Sequence, residues 1–324
     1  MALDIDALMD PEIAEAIAAA PINAPLSTDV LPAMRANMRA LAGTIELSDQ
    51  VSRADHDIES PDGFRFPIRV HRAVGAPDGQ PIVVWLHGGG MVAGTYLIDD
   101  LRFDKWCPAL GVVGVAVDYG LAPERPYPGP LEDCYTALRW AHDHATEIGG
   151  DPSRIGIGGN SAGGGLAAGL ALLARDRGEI AVEWAALVYP MIDDRMTTAS
   201  SGWDVPIWPP VSNDFGWSAY LAGVGGRGAD VPAYAAPARA ADVAGLPPTF
   251  ISVGALDGFL DEDVDYASRL LRAGVPTELH VYPGAPHGFD LMMPATQVAR
   301  RARRHLDEWI AAQLRANLSS GAER

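Results

Sequence analysis

The five residues Gly159-Asn160-Ser161-Ala162-Gly163 constrain this chain more than any other segment, because they set a serine between two glycines where an apolar strand gives way to a small-residue helix. Upstream, Arg154-Ile155-Gly156-Ile157-Gly158 reads as a short buried strand; downstream, Gly164 through Leu173 reads as a helix that ends near Gly178. A strand and a helix joined this tightly put the serine on the bend, and the flanking glycines let neighbouring chain approach without Cβ clashes. This is the pattern of a nucleophile elbow. In a chain with 35 glycines it is weak by itself. A phosphate-binding turn is the alternative, but no Lys follows to make a P-loop, and Gly156-x-Gly158-x-x-Ser161 lacks the third glycine of the dinucleotide fingerprint.

A catalytic serine needs partners, and three other segments offer them. Ile82-Val83-Val84-Trp85-Leu86 is an apolar strand that runs into His87-Gly88-Gly89-Gly90. Glycines leave backbone N–H groups open to the oxyanion of an acyl-transfer intermediate, so Gly89, Gly90 and Ala162, the residue after the serine, are the candidate donors. His87 is read as structural, orienting that loop. Asp257 is the first carboxylate after the apolar run Pro248–Gly254, and it reads either as a triad acid or as a simple cap. Asp261, Glu262, Asp263 and Asp265 read as the acidic first turn of the next helix. His287 follows a strand that breaks at Pro283-Gly284, whereas His280 lies within that strand. The order Ser161, Asp257, His287 is that of an α/β-hydrolase triad, each member just past a predicted strand, where sites in open parallel sheets form.

Taken together, His87-Gly88-Gly89-Gly90, Gly159-Asn160-Ser161-Ala162-Gly163-Gly164, Asp257 and His287-Gly288-Phe289 resemble the signature of the bacterial hormone-sensitive-lipase-like esterases. Asp118-Tyr119-Gly120-Leu121-Ala122-Pro123-Glu124-Arg125-Pro126-Tyr127-Pro128 and Tyr189-Pro190-Met191-Ile192-Asp193-Asp194-Arg195 match its intermediate blocks. The resemblance extends over residues 55–312. It implies an α/β-hydrolase fold, a mostly parallel central sheet with helices on both faces and a helical cap, and hydrolysis of short-chain, acetyl-like esters through Ser161, His287 and Asp257. An amidase, thioesterase or acyltransferase would use the same triad, and a non-catalytic receptor of the same fold would lack the histidine. Three positions depart from the family's habit: Gly120 stands for Arg, Asn160 for an acid or Gln, and Gly258 for Pro. The first bears on support of the oxyanion loop, the last on the turn that holds Asp257.

Strands alternating with helical patterns from residue 80 onward point to one sheet covered on both faces, within a single domain over 1–324. Predicted helices cover 130–147, 161–177, 261–273 and 296–316, and Asp10-Pro11 starts another as cap and first position. The resemblance assigns a cap to residues 1–50 and 197–222. Trp203, Trp208, Phe215, Trp217 and Tyr220 in the second segment either bind part of the ester or anchor the cap. With 42 acidic residues against 24 basic ones, a net charge of −18 argues against nucleic acid and anionic membranes as partners. The expected partner is a small-molecule ester. No motif calls for a cofactor or a metal. Cys107 and Cys134 are read as reduced thiols of a cytoplasmic protein, and no apolar stretch reaches the roughly 20 residues of a membrane span. The strand over 278–282 is placed at the sheet edge, where a homodimer could pair.

Overall fold

The computed structural model describes residues 4–19, 25–228 and 230–320; residues 1–3, 20–24, 229 and 321–324 of the ranges assigned above lie outside them. Eight strands form one sheet: β1 (Val51–Glu59), β2 (Arg65–Ala73), β3 (Gln80–Leu86), β4 (Val113–Val117), β5 (Gly150–Asn160), β6 (Trp184–Val188), β7 (Thr249–Gly254) and β8 (Thr277–Tyr282). Their spatial order is β1-β2-β4-β3-β5-β6-β7-β8, with β2 antiparallel to both neighbours and every pairing from β4 to β8 parallel. The helices are α1 (Ile5–Leu8), α2 (Pro11–Ala19), α3 (Leu31–Ala42), α4 (Asp100–Leu110), α5 (Gly129–Asp143), α6 (Ala162–Arg177), α7 (Pro210–Tyr220), α8 (Leu260–Arg272), α9 (Phe289–Met292) and α10 (Gln297–Ser320).

The central strands are apolar on both sides because both sides are covered. Along β3, Ile82, Val84 and Leu86 join the cluster built with α5, α6 and α8, whereas Val83 and Trp85 join the cluster built with α4 and α10. Period-two alternation thus assigns each side chain to one of two cores. The helices begin and end where their residues dictate. Asp10 Oδ1 accepts the Glu12 and Ile13 N–H groups at 2.9 and 3.4 Å, capping α2 as expected, and Gly178 ends α6 in the left-handed conformation. β1 and β2 did not stand out in the sequence. Ile58, Phe66, Ile68 and Val70 supply one buried side, and on the other side of β2 Arg69 and the buried His71 pair with Asp100 of α4 at 2.7 and 2.6 Å. β8 is the other edge.

The parallel register points the carboxyl ends of β3, β5 and β7 the same way, so the loops after them meet at one rim of the sheet. The two segments outside the sheet also meet each other: Leu26 N–H donates to Ser212 Oγ at 3.0 Å.

Candidate active site

The turn from β5 to α6 is as tight as its glycines imply. Ser161 has φ 57° and ψ −119°, a conformation that a non-glycine residue holds at a cost of about 1–3 kcal/mol. Surrounding bonds hold it there: its N–H donates to the Val188 carbonyl at 2.8 Å, and its own carbonyl accepts from Gly165 and Met191 at 2.9 and 3.0 Å. A Cβ on Gly159 would lie 2.4 Å from the Gly163 carbonyl, and one on Gly163 would lie 2.0 Å from the Leu86 carbonyl. Only glycine fits either place.

The loop after β7 brings Asp257 to this turn, and the loop after β8 brings His287. His287 Nε2 lies 2.8 Å from Ser161 Oγ, and His287 Nδ1 lies 2.8 Å from Asp257 Oδ2. All three are buried. Asp257 acts in its turn as well as toward the histidine, since Oδ1 accepts the Phe259 N–H at 3.0 Å. α8 starts after Phe259 with no side-chain cap, so Asp257 closes the turn before the helix and is not its cap. Ser200 braces the same turn: its hydroxyl donates to the Gly258 carbonyl and accepts the Asp261 N–H, each at 3.0 Å. Gly258, where the resemblance led us to expect Pro, is thus held from outside.

The loop after β3 packs directly on the elbow, for a Cβ on Gly88 would sit 3.0 Å from the Asn160 carbonyl and 3.3 Å from Ser161 Cβ. Gly89, Gly90 and Met91 have φ values of 130°, 62° and 63°, three successive residues in the left-handed half of conformational space. The N–H groups of Gly89, Gly90 and Ala162 donate to no acceptor among the described residues. His87 stacks on Tyr119 at 4.3 Å with Nδ1 2.9 Å from the Gly88 carbonyl, and burial lowers its proton affinity below the ordinary histidine value. A neutral, stacked ring fits the structural part expected of it.

The sequence marked Asn160 and Gly120 as departures but not the partners they meet. Asn160 is a hub: Oδ1 accepts from Trp85 Nε1 and from an Arg102 guanidinium N–H at 3.0 Å each, and Nδ2 donates to the Tyr189 hydroxyl at 3.0 Å. That hydroxyl donates to Asp290 at 2.6 Å, and the Tyr189 ring meets His287 edge-on at 4.8 Å. An amide suits this place because it accepts on one side and donates on the other. Gly120 leaves room for Arg125, whose Cδ lies 2.2 Å from where a Gly120 Cβ would be, and Arg125 donates twice to Asp133 at 2.8 Å. Glu262 sits in the acidic first turn of α8 but is buried, and its Oε1 accepts the Ile192 and Asp193 N–H groups at 2.9 and 3.1 Å. Its sequence neighbours gave no sign of that role.

The aromatic residues before and within α7 divide. Trp217 and Tyr220 are fully buried anchors. Trp208 is half-buried, 6.3 Å from the His287 ring between centroids, and its ring carbons lie 2.2 and 2.5 Å from where a Gly90 Cβ would be. Its Nε1 donates to Asn213 at 3.2 Å, which fixes the indole over the loop. The described residues include no group of three or more His, Cys, Asp or Glu side chains placed to hold a metal ion.

This fold and this arrangement of loops are those of the α/β-hydrolases, and a family profile described as the alpha/beta hydrolase fold matches residues 83–291. The chain belongs to that family. It is 36% identical to carboxylesterase NlhH of Mycobacterium tuberculosis over 280 residues, 84% of this chain and 87% of that one. Esterase LipI of the same species is 33% identical over 290 residues, covering 87% and 88%. Among solved structures, a bacterial heroin esterase superposes with a TM-score of 0.90 at 40% identity, covering 95% of this chain and 99% of that one. Esterase LipW from Mycobacterium marinum gives 0.85 at 35%, covering 97% and 98%.

Proposed function

We propose that the protein is a serine carboxylesterase that hydrolyses esters of short acyl groups, with Ser161 as nucleophile, His287 as general base and acid, and Asp257 as the carboxylate that orients and steadies it. The observation that carries this reading is the Ser161–His287–Asp257 chain at 2.8 and 2.8 Å on a strained elbow. His287 takes the hydroxyl proton as Ser161 Oγ attacks the ester carbonyl, while Gly89, Gly90 and Ala162 N–H groups hold the oxyanion. The same imidazole then protonates the departing alcohol. Water repeats the sequence on the acyl-enzyme and releases the acid. Because His287 has to be neutral to accept the proton, turnover falls toward acid pH.

Trp208 supports the preference for short acyl groups, since it covers Gly90 and stands beside His287. Carboxylesterase relatives and a heroin esterase of the same shape support ester chemistry on small molecules. We read the chain as one hydrolase unit capped by residues 1–50 and 197–222. No described helix is long and apolar enough to cross a membrane. A cytoplasmic location is supported by the buried, unbridged thiols of Cys107 and Cys134. Pairing of two copies across β8 is supported by its place at the sheet edge.

A series of p-nitrophenyl esters from acetyl to octanoyl tests the proposal. The wild type should be fastest on the shortest members, and Ser161→Ala should lose about 10³-fold or more in kcat while keeping its fold. Near-normal turnover by Ser161→Ala would sink it. Trp208→Ala should move the optimum toward longer chains; an unchanged optimum removes Trp208 from the acyl side.

A further inference from the structure

α3 lies outside the sheet, yet one of its faces grips the loop that carries Gly89 and Gly90. Arg35 Nε donates to the Val92 carbonyl at 2.7 Å, its guanidinium also donates to the Ala122 carbonyl at 2.7 Å, and it pairs with both oxygens of Glu124 at 2.8 Å. Ala122 N–H donates in turn to the Met91 carbonyl at 2.9 Å. Arg35, residues 91–92 and residues 122–124 therefore close a ring around the back of the loop. One turn further along α3, Arg39 reaches Asp118 at 3.3 Å, and Asp118 accepts the Tyr96 N–H at 3.2 Å. Residues four apart share a helix face, so α3 presents two arginines to one loop.

The backbone they hold is one that would not keep its shape unaided. Three successive positive φ values, the third on Met91, persist only where the surroundings over-determine them. Val92 and Ala93 N–H groups both donate to the Gly89 carbonyl, at 3.2 and 2.9 Å, so the peptide whose carbonyl Arg35 holds is closed onto the glycine itself. The Glu124 half of the contact is a surface ion pair, with that side chain 65% exposed, and exposed pairs contribute little. The two carbonyl bonds are the part that reaches the loop.

Building on the esterase reading above, we propose that Arg35 is a positioning residue for the oxyanion loop: its forked guanidinium holds the Val92 and Ala122 carbonyls so that the Gly89 and Gly90 amides stay aimed at the ester oxygen as the carbon becomes tetrahedral. An interaction that matters only in the transition state changes kcat and leaves KM nearly alone. A purely structural role would change the melting temperature and the yield of folded protein, and nothing per active molecule.

Arg35→Met keeps the aliphatic stem and removes every donor, while Arg35→Lys keeps one charge and loses the fork. Both are assayed with p-nitrophenyl acetate, and active sites are counted by labelling with a hydroxyl-directed organophosphate. The expected result is a kcat per labelled site about tenfold lower in Arg35→Met and less reduced in Arg35→Lys, with KM within about twofold of wild type. Wild-type kcat per labelled site in either variant overturns the inference, whatever the melting temperature does; if Arg35→Met does not fold, Arg35→Lys decides. A wild-type protein that neither turns over ester nor labels would instead bring down the esterase reading itself, and this inference with it.

Discussion

Asp263 is fully buried, and neither of its carboxylate oxygens has a hydrogen-bond partner among the described residues. Burial first, then Glu262 and Asp257 nearby, push its proton affinity well above the usual carboxylate range. Glu262 is raised as well, again chiefly by burial, and Asp99 moves from 3.8 to about 7 for the same reason. A carboxyl raised in this way holds its proton in the folded state after the unfolded chain has released it. Its stabilisation is complete below the unfolded value and is lost as pH climbs to the folded one, which for Asp99 spans 3.8 to about 7. The melting temperature should therefore drop between pH 5 and pH 8. Asp263→Asn should flatten the stability curve and raise the midpoint at pH 8; thermal melts that show no pH dependence in either protein would contradict this. Such acids look alike in a sequence. Asp261, Glu262 and Asp263 all read as a helix's acidic first turn, and only packing separates Asp261, which accepts the Ser200 N–H at 2.9 Å, from the two beside it that are shut away from water.

At the scale of the element, α6 shows propensity and packing in opposition. Alanine is about 1 kcal/mol better than glycine in a helix interior, yet Gly163, Gly164 and Gly165 open this one. A Cβ on Gly165 would lie 2.0 Å from the Met191 carbonyl, a backbone atom that cannot step aside. Overpacking of this kind costs about 1–3 kcal/mol. Gly165→Ala should thus be destabilising by about 2 kcal/mol in urea denaturation despite its helix preference. Gly258→Ala offers the contrast: the nearest atom to its new Cβ is the Ser200 carbonyl oxygen at 3.7 Å, and a gain of about 0.4–1 kcal/mol is expected from the stiffer unfolded chain. The elements that carry the site were readable because each is a continuous apolar run, as in β3 and β7, or a small-residue helix following a serine. β1 and β2 were not, because polar residues interrupt their apolar pattern: β1 is an edge strand, and in β2 Arg69 and His71 face Asp100 of α4.

On the scale of the whole molecule, the amino-terminal helices reach both loops of the site. α3 holds the loop of Gly89 and Gly90 through the Arg35 bond to the Val92 carbonyl, and the Asp10 N–H at the start of α2 donates to the Gly284 carbonyl at 3.0 Å, on the loop that leads to His287. Ile13 of α2 is completely buried in the core it shares with α10. Ile13→Ala should cost about 2–5 kcal/mol and lower kcat along with the melting temperature, since the histidine loop loses its backing. A variant that melts earlier but keeps full kcat would show that α2 serves stability alone. The sequence by itself determined the fold class, the elbow, and which serine, acid and histidine stand at strand ends, because those depend on local order: apolar runs, glycines where a Cβ cannot fit, and the succession of motifs. Tertiary structure alone decided how those residues are supported. The Asn160–Tyr189–Asp290 chain, the Ser200 brace, the buried Glu262 and the Arg35 clamp join segments 29 to 101 residues apart, and no local pattern encodes which polar groups will meet once the strands pair.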